Sequence, residues 1–346
     1  MPETKNSRNR KDLVKRAAAC VTRGVARSIR LQSRFRIRRS LILTFAVALL
    51  APTTFSQKAG NPLAGWWDFT ITRGNVTRAV WLGVTEKDGN LEVWYQPTGG
   101  HVYRVKEFRA EGSHLTATVS PAAGNRPAET WELDAAGDRI SGIQKRGDTT
   151  LALAGVRAPE LKRAAPTAWT PPEPLFNGKN LDGWEPIGNP ANSHWVVKDG
   201  LLVNEERGAN LKSARQFEDF KVHFEVNCPD KANSGFYLRG RYEVQLEYEP
   251  SDENPPERRI GSIYGRIAPK ELARTPGQWE TFDITLVGRT VTVVRNGVTT
   301  IDRQEIEGIT GGALDANEGE PGPFYIQGDH TGGLKFRNMT VSVPKP

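Results

Sequence analysis

The chain is poor in the residues that staple small folds and build metal centres. Two Cys and five His occur in 346 residues. Cys20 falls in a basic N-terminal stretch, which leaves Cys228 alone in the remainder and excludes an internal disulfide there. Stability must therefore come from apolar cores, and the chain is long enough for two of them. No two His are closely spaced and no Cys pair is present, so a structural zinc site is not expected. Long apolar runs are equally scarce. The most apolar stretch, Leu41–Ala51, is too short to cross a bilayer, so the mature chain is expected to have no transmembrane span.

The net charge of +7 would suit a nucleic-acid partner, but the excess is confined to one end. Residues 1–40 hold 13 Lys/Arg against 2 Asp/Glu, while positions 41–346 hold 34 against 38, a net of −4. The folded part is mildly acidic, so a phosphate backbone is disfavoured and no nucleic acid is expected as a partner. A basic stretch, an apolar segment and then small residues have the layout of an export signal, with cleavage near Thr54-Phe55-Ser56. Residues 1–56 are read as presequence and signal peptide, and the mature protein as exported to the periplasm, the cell envelope or the extracellular space. Arg38-Arg39-Ser40-Leu41-Ile42 loosely resembles a twin-arginine signal, although Ile37 stands where Ser or Thr is usual.

What is abundant is alternation. From Leu63 to Val156 short alternating segments recur, among them Trp66–Ile71, Thr77–Val84, Leu91–Tyr95, Val102–Phe108 and Thr130–Leu133. Turn formers such as Asp88-Gly89-Asn90 and Gly99-Gly100 separate them. The pattern predicts, over 63–156, an antiparallel meander closed into a small all-β barrel, lipocalin-like in pattern only. Prolines 159, 166, 171, 172 and 174 block ladder hydrogen bonding and predict an interdomain linker over 157–174. Residues 175–346 return to longer strands with almost no helical periodicity. Phe220, Val222, Phe224 and Val226 share a face opposite Lys221, His223 and Glu225, so one side of that strand is buried. Many such strands predict two packed antiparallel sheets, a jelly-roll β-sandwich.

Particular residues then carry the argument further. Leu175-Phe-Asn-Gly-Lys-Asn-Leu-Asp-Gly-Trp184, Asn233-Ser-Gly-Phe-Tyr-Leu-Arg239, Tyr242-Glu-Val-Gln245 and Gly261-Ser-Ile-Tyr-Gly265 are followed by Pro276-Gly-Gln-Trp-Glu-Thr-Phe-Asp283, Asn296-Gly-Val298, Gly322-Pro-Phe-Tyr-Ile-Gln-Gly-Asp-His330 and Phe336-Arg-Asn338. Together, over 175–344, they resemble the 3-keto-disaccharide hydrolase domain family. The resemblance implies a concanavalin-like jelly roll and cleavage of an oxidised, 3-keto sugar or glycoside. It does not touch residues 63–156.

Within these motifs Trp184, Trp195 and Trp279 read as core or sheet-covering aromatics, and Asn296-Gly297 as a hairpin turn. In the strand Tyr242–Tyr248, Glu243, Gln245 and Glu247 share one face. A central strand with a solvated outer face would explain Glu247, whereas Glu243 and Gln245 are placed in the concave groove. His330 sits beside Asp329 at a strand-to-turn corner, where an imidazole can be aimed into that groove.

A ketone at C3 acidifies the proton on C2, so a base of ordinary strength can remove it and the enolate can expel the group at C1. Ordinary glycosidases instead use two carboxylates at a set separation, and no such pair is evident. His330, its tautomer fixed by Asp329, is assigned as base or acid. Glu243 is its partner in proton transfer. Arg239 and Gln245 are assigned to the ketone oxygen as it gains charge, with Tyr237, Gln327 and Asn338 as further substrate contacts. A divalent metal ion held by Glu243 and His330 could replace or assist Arg239, and the sequence leaves that choice open.

Two readings from other classes stand beside this one. A lectin-like module of the cell envelope would line its groove with Tyr237, Tyr242 and Tyr325 and need no converging His330, Glu243 and Arg239. An adhesion domain would show an extended apolar patch. The N-terminal segment carries no recognisable chemistry and is read as accessory.

Overall fold

Nine antiparallel strands follow one another in the N-terminal half: β1 (Gly65–Arg73), β2 (Val76–Lys87), β3 (Asn90–Gln96), β4 (Tyr103–Arg104), β5 (Phe108–Glu111), β6 (His114–Val119), β7 (Glu129–Ala136), β8 (Arg139–Arg146) and β9 (Thr149–Arg157). The structure, a computed structural model, describes residues 60–73, 76–120, 128–250 and 254–346. The presequence, the export signal and Cys20 lie outside the described residues. No helix among the described residues is long and apolar enough to cross a membrane.

The nine strands form one curled sheet in the order β4-β3-β2-β1-β9-β8-β7-β6-β5. First and last strands meet through the pairing of Phe69 with Gly155, where a Cβ would strike the Phe69 ring at 2.8 Å. The ring stays open between β4 and β5. The expected single strand Val102–Phe108 breaks there, because Val105 turns inward to 2% exposure and its N–H donates to the Val93 carbonyl at 2.7 Å. Tyr103 spans the seam by donating to the Ser120 carbonyl at 2.6 Å. The predicted barrel is thus a half-barrel with a bridged seam. Trp67, Phe69, Tyr95 and Trp131 fill it, with Tyr95 and Phe69 each edge-on to Trp131 at 5.1 and 5.2 Å.

The C-terminal half is a two-sheet sandwich built from β10 (Glu173–Pro174), β11 (Trp184–Pro186), β12 (Trp195–Lys198), β13 (Leu201–Asn204), β14 (Leu211–Phe217), β15 (Phe220–Asn227), β16 (Asn233–Leu238), β17 (Tyr242–Glu247), β18 (Trp279–Val287), β19 (Thr290–Arg295), β20 (Val298–Glu305), β21 (Gly322–Ile326) and β22 (Lys335–Ser342). One sheet runs β12-β13-β22-β15-β18-β19-β20 with β10 on β22, and the other β11-β14-β21-β16-β17. The alternation in β15 does what it predicts: Phe220, Val222, Phe224 and Val226 are at most 2% exposed, and Phe224 stacks across the sandwich on Phe236 at 4.4 Å. Trp184 and Trp195 are buried in the same core, and Asn296-Gly297 turns the β19–β20 hairpin with φ of 50° and 76°.

One expectation needs correction. β17 is not a central strand with a wet face but the edge of its sheet, and all six of its residues are buried, Glu247 included. The segment Arg259–Ile267 covers the edge: Gln245 N–H donates to Ser262 O at 3.0 Å and Tyr264 N–H to Glu243 O at 3.0 Å. Residues 157–174, the expected linker, bond to the sandwich along their length. The prolines leave the Thr170 N–H to donate to Val343 O at 2.8 Å, β10 pairs with β22, and Leu161 O accepts the Arg289 N–H at 3.3 Å. The strap is stitched to the sandwich by the few donors and acceptors it retains.

Half-barrel and sandwich also share packing. Ala79 and Trp81 of β2 bury against Ile309, Ala313 and Ala316, and the Arg266 guanidinium lies 4.3 Å over the Trp81 ring. The described residues accordingly form one compact unit.

Candidate active site

Register places the site. In the β16–β17 ladder Tyr237 faces Glu243 and Gly235 faces Gln245, while Tyr237 faces Tyr325 of β21. The period of two sends Phe236, Leu238, Val244 and Leu246 into the sandwich core, and it leaves Tyr237, Glu243, Gln245 and Tyr325 on the opposite face. Gly235 is required here because a Cβ would overlap the Glu243 carboxyl, which lies across it. The rings of Tyr237 and Tyr325 stack at 4.0 Å and make a rigid floor.

Above this floor is a cavity of about 500 Å³ whose wall includes Tyr237, Glu243, Gln245, Gln327, Asp329 and His330. Six of the eight residues proposed from sequence are therefore brought together. Asn210 builds the corner that carries His330, its Oδ1 accepting the N–H of Gly328 at 2.7 Å and of Asp329 at 3.1 Å. Thr331 Oγ1 accepts the Asn233 N–H at 2.8 Å and ties the same corner to β16. His330 Nδ1 is 2.8 Å from Asp329 Oδ1, and its ring is 40% exposed. Burial pushes the Asp329 carboxyl up, but the hydrogen bond and charge of His330 outweigh it and hold it below the usual carboxylate range.

Glu243 is the opposite case. Only 4% exposed, it is pushed up to about 8 by burial, against the pull of the Tyr237 hydrogen bond and with added repulsion from Asp329. Proton counting leads to the same conclusion without any titration argument. Tyr237 Oη lies 2.8 Å from Glu243 Oε2 and 2.6 Å from the Gly311 carbonyl, yet it owns one proton. Both oxygens compete for that proton; a carbonyl can only accept, so when Gly311 takes it the contact to Glu243 is satisfied by a carboxyl that carries a proton and donates. Gln327 Nε2 donates to the same hydroxyl at 3.0 Å. The amide orientation that suits the neighbours of Gln245 puts its Nε2 2.9 Å from Ser234 O and 3.2 Å from Glu243 Oε1. Every partner of Glu243 is thus compatible with a neutral acid. Gln327 Oε1 is buried without a partner and remains available as an acceptor.

Two proposed contacts are not in the cavity. Arg239 would share the groove face by strand parity, but it has φ of 53° in the hairpin turn and is fully buried elsewhere, donating to Gly288 O at 2.6 Å and Tyr242 Oη at 3.3 Å. Asn338 has φ of 51° beside a register shift between β15 and β22, in the other sheet, and its amide donates to Glu225. Among the described residues no three His, Cys, Asp or Glu side chains converge as metal ligands, so Glu243, Asp329 and His330 do not make a three-ligand centre.

The N-terminal half-barrel supplies what sequence reasoning missed. Thr77, Arg78, Thr98, Gly99 and Gly100 form one wall of the cavity, and Arg78 is its arginine. The Gly312 N–H donates to Thr98 O at 3.0 Å, and Gly311 packs so closely on Gly100 that no Cβ fits. Thr310 Oγ1 accepts the Glu243 N–H at 2.9 Å. Loop β3–β4 thereby holds the Thr310–Ala313 segment against Tyr237 and Glu243. Of these, only Gly99-Gly100 left a trace in the sequence, as a turn.

Of the tyrosines that a lectin-like groove would use, Tyr237 and Tyr325 line the cavity, whereas Tyr242 is buried and donates to Glu318 at 2.5 Å. The apolar patch of an adhesion surface has no counterpart: Val156 is the exposed large apolar residue among the described ones.

No curated protein sequence matches the chain. Among solved structures it is similar to a candidate glycosyl hydrolase from Parabacteroides distasonis ATCC 8503, at 27% identity over 53% of this chain and 93% of that one, with a TM-score of 0.43. A second candidate glycosyl hydrolase from the same organism shares 18% identity over 50% and 92%, with a TM-score of 0.42. The carbohydrate-binding module CBM66 from Bacillus subtilis shares 13% over 48% and 98%, with a TM-score of 0.31. Residues 171–342 match the family model of the 3-keto-alpha-glucoside-1,2-lyase-like domain. The C-terminal half of the chain belongs to that family and is a carbohydrate-active domain.

Proposed function

We propose that the protein cleaves 3-keto-glycosides by elimination. The observation that carries this reading is a buried carboxyl, hydrogen-bonded to Tyr237, and a carboxylate-oriented imidazole on the wall of one cavity. Asp329 holds the proton on His330 Nδ1, which leaves Nε2 to take the proton from C2. The C2–H electron pair forms an enolate onto the C3 oxygen. As the ketone re-forms, a C1–C2 double bond is made and the C1–O bond breaks, and the leaving oxygen takes the Glu243 proton. One proton has moved from C2 to the released alcohol, so His330 and Glu243 exchange a proton through solvent before the next turn. Water adds to the double bond afterwards. Arg78 takes the role first assigned to Arg239, facing the ketone oxygen as it gains charge, with Gln245 and Gln327 positioning the sugar.

The basic stretch and apolar segment at the N-terminus support placing this enzyme outside the cytoplasm. Cleavage is expected near Thr54-Phe55-Ser56, and a secreted protein whose N-terminus lies well before residue 50 would refute that cleavage site.

The test is to incubate the protein with a 3-keto-disaccharide and with its unoxidised parent. Cleavage of the ketone alone is expected, slowed when C2 carries deuterium. Equal cleavage of both sugars, or near-wild-type turnover by both His330→Ala and Glu243→Gln, would overturn the assignment.

A further inference from the structure

A second cavity, of about 760 Å³, lies at the seam of the half-barrel and meets the first at Gly100 and Tyr264, which line both. Among the described residues its wall carries Arg104, Lys106 and Arg258 and one carboxylate, that of Glu107, with Tyr103 and Tyr264 as flat apolar surfaces. Glu92, behind the wall, takes one edge of Arg104 at 3.1 Å. Arg258 Nη2 is 2.7 Å from His101 Nε2, a contact that needs a lone pair on that nitrogen and so a neutral imidazole. Burial and then the Arg258 charge push the His101 imidazole down, in the same sense. His101 is also fixed in place, since a Cβ on Gly265 would come within 2.7 Å of its own Cβ. Arg258 Nε is buried with no partner among the described residues.

Resting on the elimination reading, we infer that this second cavity is the leaving-group subsite and that it selects glycosides whose leaving group bears an anion, a carboxylate or a sulfonate on an aromatic or sugar ring. With the oxidised sugar over Tyr237, the C1 substituent passes Tyr264 and Gly100 and enters the recess. There its ring lies against Tyr103 or Tyr264 and its charge meets Lys106, Arg104 and Arg258. The half-barrel is then part of substrate selection and not a tether.

The test uses the full chain and three 3-keto-glucosides with the leaving groups 4-hydroxybenzoate, 4-hydroxybenzenesulfonate and the neutral 4-hydroxybenzamide. In wild type both anions are expected to exceed the amide in kcat/KM by about tenfold at low salt, with the advantage shrinking as salt rises. In Arg104→Ala/Lys106→Ala the anion-to-amide ratio falls toward one, while in Lys145→Ala, an exposed cation on β8, it stays at the wild-type value. Equal kcat/KM for all three in wild type, a ratio unchanged in the double variant, or a ratio lowered as much by Lys145→Ala would overturn the subsite. If no 3-keto-glucoside is cleaved, the elimination reading fails, and the subsite is judged by calorimetry with free 4-hydroxybenzoate. Binding weakened in the double variant supports it, and binding that is absent or equal overturns it.

Discussion

Replacing Glu243 with Gln tests the neutral acid through stability and catalysis at once, and the two should move in opposite directions. In the unfolded chain the Glu243 carboxyl ionises near 4.5, whereas burial keeps it protonated in the fold until about 8. Between those values the unfolded state sheds a proton that the folded state keeps, so the contribution to stability is lost as pH rises from about 4.5 to about 8 and is level above. At about 1.4 kcal/mol per pH unit, this amounts to about 4 kcal/mol between pH 5 and pH 9. Glutamine cannot ionise, and its amide can still donate to Tyr237 and accept from Gln245. Glu243→Gln should therefore unfold at nearly the wild-type temperature at pH 5 and roughly 8 °C above it at pH 9, while turnover of a 3-keto-glycoside falls by about a hundredfold or more. Scanning calorimetry at pH 5, 7 and 9 reads the difference. A gap between variant and wild type that is constant with pH, or that favours wild type at pH 9, would refute a proton on Glu243.

The pH dependence of kcat should fall as pH passes through about 8, where Glu243 loses the proton it donates, and Glu243→Gln should show no such limb. Gly235→Ala should cost about a hundredfold in turnover, measured with the 3-keto-disaccharide, because its Cβ would displace the Glu243 carboxyl; activity within twofold of wild type would mean the carboxyl can work from elsewhere. Gly311→Ala should lower kcat about tenfold by parting the Thr310–Ala313 segment from loop β3–β4. Asn338→Ala should leave kcat/KM within about twofold, since its amide serves Glu225 in the far sheet.

Alternation made the strands legible and, with the motifs, half of the site. Parity along β16 and β17 placed Tyr237, Glu243 and Gln245 together because extended backbone sends alternate side chains to one face. Arg239 and Asn338, taken from the motifs, lie outside the cavity for one physical reason. Both adopt a left-handed backbone, at φ of 53° and 51°, which rotates the side chain out of the register that parity assumes, and neither residue is a Gly that would have flagged the position. The solvated face expected for Glu247 failed because β17 is capped along its edge by Arg259–Ile267, a contact between segments that no local pattern encodes. The contribution of the half-barrel was equally hidden. Thr98 and Gly100 act through backbone carbonyls, which every residue possesses, and Arg78 is one cation in an alternating strand.

That hidden contribution changes what the N-terminal half is for. A tethered accessory module would touch the sandwich through the strap and a few surface contacts. Here Asp68 of β1, 3% exposed, lies beside Glu318, and burial followed by Glu318 repulsion pushes its carboxyl up to about 9. Glu318 in turn accepts from Arg289 at 2.9 Å and from Tyr242 of β17. Such a cluster cannot be exposed to water on one side without leaving the other side's charges poorly paired, so the two halves should hold together or fail together. The tyrosine that anchors it opens the same strand as Glu243, and loop β3–β4 grips the segment that Tyr237 bonds. The acid, the wall that confines it and the recess beside it are therefore produced by one docking event, which places the half-barrel within the machinery of the site.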